Sequence, residues 1–120
     1  MPYTLEFPDS ELRDVVREGA LVRVRLSAAA ARNEAGERGW LTSVTLTISA
    51  ATLQGETTHA FGRIVEGSLE GVTRISVPGA LAGAARLAMR LANGTHFIIR
   101  GDALEATLDD GAHFREDFSC

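Results

Sequence analysis

Hydrophobic and polar residues alternate along most of this chain with a period of two, the spacing that sends successive side chains to opposite faces of a β-strand. Tyr3, Leu5 and Phe7 alternate with Thr4 and Glu6. Val22, Val24, Leu26 and Ala28 alternate with Arg23, Arg25 and Ser27, which predicts a strand with one apolar face and one basic or hydroxyl face. The segment Asn33 to Gly39 is polar, carries two glycines and has no period, so it reads as an exposed loop. From Trp40 to Leu53 the β-branched residues dominate, with Trp40, Thr42, Val44, Leu46, Ile48 and Ala50 on one parity. Straight, that stretch would span about 46 Å, against a diameter of roughly 35 Å for a compact chain of this size. It must therefore bend, at Ser49-Ala50-Ala51 where small side chains permit it, or pair its end with a second subunit.

Two later segments read as hairpins. Around Gly71, a three-residue loop Leu69-Glu70-Gly71 would set Glu66 opposite Arg74 and Val65 opposite Ile75, matching charge with charge and apolar with apolar. Around Gly94, taking Ala92-Asn93-Gly94 as the loop pairs Met89 with Phe97 and Leu87 with Ile99, with both loop glycines in the left-handed region. Residues 80–92 also carry a helical reading, because Leu81, Ala84, Ala88 and Leu91 share a helical face and Asn93-Gly94 resembles a C-cap. A helical turn over Gly79–Ala85 followed by a strand over Arg86–Leu91 accommodates both patterns. Residues Asp9 to Glu18 are open in the same way, to a capped helix or to a strand entering a Glu18-Gly19 turn. With Ala103–Leu108 and His113–Phe118 the count reaches about eight to ten strands, which predicts an all-β, mainly antiparallel single domain over residues 1–120: a small sandwich or partly closed barrel with at most one or two helical turns.

Composition supports one soluble domain of ordinary globular character, with 45% hydrophobic and 23% charged residues in 120. No apolar run approaches the roughly 20 residues of a spanning helix. The start, Met1-Pro2-Tyr3-Thr4-Leu5-Glu6, lacks the basic and apolar regions of a secretory signal, so a cytoplasmic location is expected. The single cysteine, Cys120, leaves no intrachain disulfide to form. The net charge is −4 and all 12 basic residues are arginine. Residues 101–120 hold six acids against Arg115 alone, so the rest of the chain is nearly neutral. Without a basic cluster to neutralise phosphates, neither nucleic acid nor an anionic membrane is an expected partner.

Candidate chemistry is sparse. His59, His96 and His113 have no metal-ligand spacing, and no nucleophile elbow, phosphate-binding loop or dinucleotide fingerprint occurs, so no cofactor, metal or catalytic residue is expected. Gly62-Arg63-Ile64-Val65-Glu66-Gly67-Ser68-Leu69-Glu70-Gly71 resembles the glycine-rich strand pairs of cupin barrels. The histidines of that family's metal motif are absent, and no function is carried over. Glu66 and Glu70 flank a turn, where carboxylates more often meet solvent or arginine than form an acid/base pair.

The residues singled out for binding are Arg23, Arg25, Trp40, Arg74, Arg100, Phe114 and Phe118. Arg23 and Arg25 share a strand face and suit a carboxylate, although edge charges that discourage strand addition explain them too. Trp40 is expected in the core, with an anchoring role as the rarer outcome. Phe114 and Phe118 are expected to close the core or pack on a neighbour. Two functions follow. One is a non-catalytic interaction module, meeting an unknown protein partner or forming a homodimer. The other is a small-molecule-binding barrel or minor enzyme with an interior pocket lined by Arg63, Arg74, Arg100 and a histidine.

Overall fold

A computed structural model describes residues 3–116, and every regular element within them is a β-strand. The strands are β1 (Tyr3–Glu18), β2 (Leu21–Arg32), β3 (Arg38–Ser49), β4 (Thr52–Gly55), β5 (Gly62–Leu69), β6 (Arg74–Val77), β7 (Gly79–Leu91), β8 (His96–Leu108) and β9 (Phe114–Glu116). Six of them close an antiparallel barrel in the order β8, β7, β5, β1, β2, β3, because β3 pairs with β8 on one side and β2 on the other. The short strands extend this ring: β4 lies along β8, β6 along β1 and β9 along β3. The all-β, mainly antiparallel reading is therefore right, and the barrel is the form it takes.

The interior is continuous and apolar. Leu5, Phe7, Leu12, Val22, Val24, Leu26, Leu41, Val44, Leu46 and Ile48 fill it from one half of the ring, and Ile64, Leu87, Met89, Leu91, Phe97, Ile99 and Leu104 from the other. Each aliphatic side chain so enclosed contributes about 1.5–3 kcal/mol relative to exposure. Tyr3 and Phe114, half-buried, stack at 5.2 Å between centroids and pack on this core, so Phe114 closes it as expected. Phe118 lies outside the described residues. Ser10, fully buried, donates to the Glu6 carbonyl at 2.7 Å and accepts from the Ala30 amide at 2.9 Å, which satisfies backbone groups where β1 bulges away from its ladder.

The long strand bends at the expected place. Ala50 takes a positive φ of 51°, the Ala51 amide donates to the Ala20 carbonyl at 2.9 Å, and the chain resumes as β4 on the same neighbour, β8. A straight strand would have outrun the molecule's 40 Å long axis. The hairpin around Gly94 also has the expected register, with Met89 opposite Phe97, Leu87 opposite Ile99, and Gly94 at φ 91°.

Three local readings are corrected, and one left open is settled. The turn at Gly71 contains two residues, not three: Leu69 and Val72 exchange both backbone hydrogen bonds around Glu70 and Gly71. No hairpin extends from it, since β5 pairs with β7 and β6 with β1, so Glu66 faces Arg90 and Arg74 faces Glu6. Gly79–Ala85 is strand, not helical turn, because pairing with β8 buries Ala85 and half-buries Leu81, and the register slip at Gly83–Ala84 absorbs the pattern that looked helical. Asp9–Glu18 resolves to strand, entering a Gly19-Ala20 turn. Along β2 and β3 the buried parity changes at Ser27 and Ser43, where Ser43 has φ 56°. Ala29, Ala31 and Leu41 consequently point inward, and Trp40 and Ala28 do not take the core positions expected of them.

Candidate functional site

The barrel's interior offers no polar pocket among the described residues. Its side chains are apolar apart from Ser10, whose hydroxyl is taken up by backbone groups, whereas Arg63, Arg74, Arg100, His59, His96 and His113 are all exposed. An interior lined by arginine and histidine is thus corrected: each of these residues sits on the outward parity of its strand or in a loop.

Surface charges on the outside of β1, β2 and β3 are matched locally. Arg25 grips Asp14 through both carboxylate oxygens, Nε to Oδ1 at 2.6 Å, and Arg23 pairs with Glu18. These contacts hold Asp14 and Glu18 below the usual carboxylate range and raise the Arg25 guanidinium. Thr45, nearly buried, donates to Asp109 at 2.8 Å, and Arg32 approaches Glu6 at 3.4 Å. Since β2 is an inner strand of the ring, Arg23 and Arg25 are neither edge guards nor an open carboxylate receptor; they are cross-strand ties between β2 and β1. Trp40, opposite Ala30, forms one wall of a shallow recess of about 370 Å³ with Arg38, Arg63, Glu6 and Asp9.

The outside of β5, β7, β8 and β4 is built differently. Three cross-strand rows face outward: Glu66–Arg90–His96, Ser68–Ala88–Ile98–Gln54, and Arg86–Arg100–Thr52. In the first, Arg90 meets Glu66 at 2.6 Å. In the second, Ala88 and Ile98 form a small apolar floor between the polar Ser68 and Gln54, and a recess of about 490 Å³ opens between Val65, Ala88, Ile98, Pro8 and Thr73. In the third, two arginines stand directly opposite each other with no carboxylate in salt-bridge range among the described residues. Like charges so placed cost about 0.2–1 kcal/mol. Arg100 turns away from Arg86, donating from Nη1 to the Gln54 side-chain oxygen on β4 at 3.2 Å.

Of the described residues expected to bind, only Arg100 belongs to this face. Arg74 sits on β6 at the rim of a different opening, where β6 and the start of β7 follow one another without pairing and Ile75, Leu81 and Leu104 line a gap of about 370 Å³. Arg86, Ile98 and Arg90 escaped the sequence reading because the Gly94 hairpin was used only to align its apolar residues. The same register, Leu87 opposite Ile99, sets Arg86 against Arg100, so the signal was present.

Among the described residues a hydroxyl meets an imidazole at Thr42 Oγ1 and His113 Nδ1, 3.4 Å apart and exposed. That nitrogen also lies 3.3 Å from the Gly111 carbonyl, which can only accept. A proton held there for Gly111 leaves Nδ1 unable to take one from Thr42. Among the described residues no three metal-ligating side chains gather, and no helix is long and apolar enough to cross a membrane. Compared with family models, curated proteins and solved structures, the chain matches none significantly. The likeness of Gly62–Gly71 to cupin strand pairs has no counterpart in these comparisons.

Proposed function

We propose that this chain is a non-catalytic interaction module that meets an acidic protein partner through the outward face of β5, β7, β8 and β4. The observation that carries this reading is the unmatched Arg86–Arg100 pair beside the Ala88–Ile98 floor, on a protein whose net charge is −4. The apolar floor supplies area to bury and the guanidiniums supply a preference for carboxylates, which they bind in a planar, two-pronged geometry. Steering follows from the same contrast, because the acidic stretch 101–120 repels an acidic partner and this patch attracts it. The small-molecule alternative loses its interior pocket and would have to use an open surface recess, which encloses less of a ligand than a typical site does.

Affinity capture from the source cell with three versions of the protein tests the reading. The wild type and an Arg23→Gln variant, altered on the opposite face, are expected to retain the same acidic partner, and an Ile98→Asp/Arg100→Ser variant to lose it. Retention of that partner by the face variant, with circular dichroism showing it folded, overturns the assignment.

A further inference from the structure

β4 is hydrogen-bonded on one side only. Thr52–Gly55 pairs with Arg100–Phe97 of β8, and no described strand lies along its other edge. An open edge is a template for a further strand, and natural chains usually blunt it with charge or proline. Here the edge reads Thr52-Leu53-Gln54-Gly55, with neither. Leu53 is half-buried and packs on the core, so the inner side of the edge ends in apolar surface. On the outer side, the Arg100 guanidinium already leans over β4 to Gln54 and away from Arg86.

From this arrangement, and resting on the reading of the face given above, we propose that β4 accepts an extended acidic segment of the partner as an added antiparallel or parallel strand. Its apolar residues would lie beside Leu53 and its alternating carboxylates beside Thr52 and Gln54, within reach of Arg100. Main-chain bonds supply affinity in such a pairing and the alternating side chains supply selection. Charge selects this occupant over a second copy of the chain. Pairing of two β4 strands would bring two Arg100 guanidiniums onto one face, whereas a carboxylate-bearing strand neutralises one.

The test is an NMR titration of the intact protein with three synthetic heptapeptides alternating valine with glutamate, glutamine or lysine. The glutamate peptide is expected to slow hydrogen exchange at amides of Thr52–Gly55, to weaken in high salt, and to bind Arg100→Gln about tenfold less well than wild type. The lysine peptide is expected not to bind. Arg100 is exposed, so Arg100→Gln is expected to fold, and unchanged resonances outside β4 and β8 confirm it. Three results overturn the proposal: equal binding of the lysine peptide, glutamate-peptide binding without protection of the β4 amides, or no binding of the glutamate peptide. The second leaves the face as the contact surface and rejects only the added strand. The first and third leave the face reading to the capture experiment, which decides it independently.

Discussion

The two sides of the barrel handle their arginines in opposite ways. Outside β1 and β2, Arg23 and Arg25 each face a strand that supplies a carboxylate, Glu18 and Asp14. Outside β7 and β8, Arg86 faces Arg100. Both pairs of arginines sit on exposed parities of antiparallel ladders, so residue type and local structure are the same and only the neighbour across the ladder differs. A surface whose charges are matched internally gains little by meeting another molecule. One that leaves two guanidiniums opposed has electrostatic free energy to recover on binding, which is why the second side is the candidate contact.

The largest effect is expected where the two sides join. At Gly101 an added Cβ would press on the Ser49 carbonyl and lie 2.5 Å from Ile48 Cγ2. Gly101→Val should therefore destabilise the barrel by about 3 kcal/mol, lowering its melting temperature by roughly 10 °C. An unchanged melting curve would mean that the β3–β8 seam yields more easily than its packing implies. Thr45→Val removes the nearly buried hydroxyl that donates to Asp109 and should cost about 1 kcal/mol, read from urea unfolding.

Charge reversal tests the contrast directly. Arg86→Glu gives Arg100 a partner and should stabilise the fold by about 0.5 kcal/mol, an increment that disappears in high salt. Arg25→Glu should do the reverse, because it sets glutamate against Asp14. Changes of the same sign in both variants would break the comparison.

The smallest effect is on acid stability. Arg25 and Arg23 hold Asp14 and Glu18 below their usual range, so their ion pairs favour the folded state at neutral pH. Because the folded values are the lower ones, that contribution is complete above the ordinary carboxylate pKa and is lost as pH falls below about 4. Carboxyl-detected NMR should show Asp14 protonating below the ordinary aspartate range. In Arg25→Gln, Asp14 should return toward the ordinary value.

Much of the fold was legible in residues alone. The bend at Ala50–Ala51 followed from a strand too long for the molecule, and the Gly94 register followed from matching Met89 and Leu87 to Phe97 and Ile99. The Gly71 pairing failed although it satisfied the same kind of local pattern. Glu66 with Arg74 and Glu66 with Arg90 are equally good as charge pairs, and nothing near Gly71 says that β1 and β7 compete for these strands. Trp40 was misplaced because a positive φ at Ser43 shifts the parity without leaving a mark in the hydrophobic pattern. Of the proposed contact face, Arg100 was visible as a residue, but its significance depends on Arg86 and Gln54, which reach it through separate ladders.

The order of apolar and polar residues by itself determined that this chain forms strands, where most of them lie, and that its charges stay on the outside, because alternation fixes which side of each strand prefers to leave water. The tertiary structure alone decided which strands are neighbours, which edge is left open, and which arginines find an acid. Those outcomes depend on closing a ring among segments far apart in sequence, and ladder partners of similar local quality are separated only by the burial that the whole ring achieves.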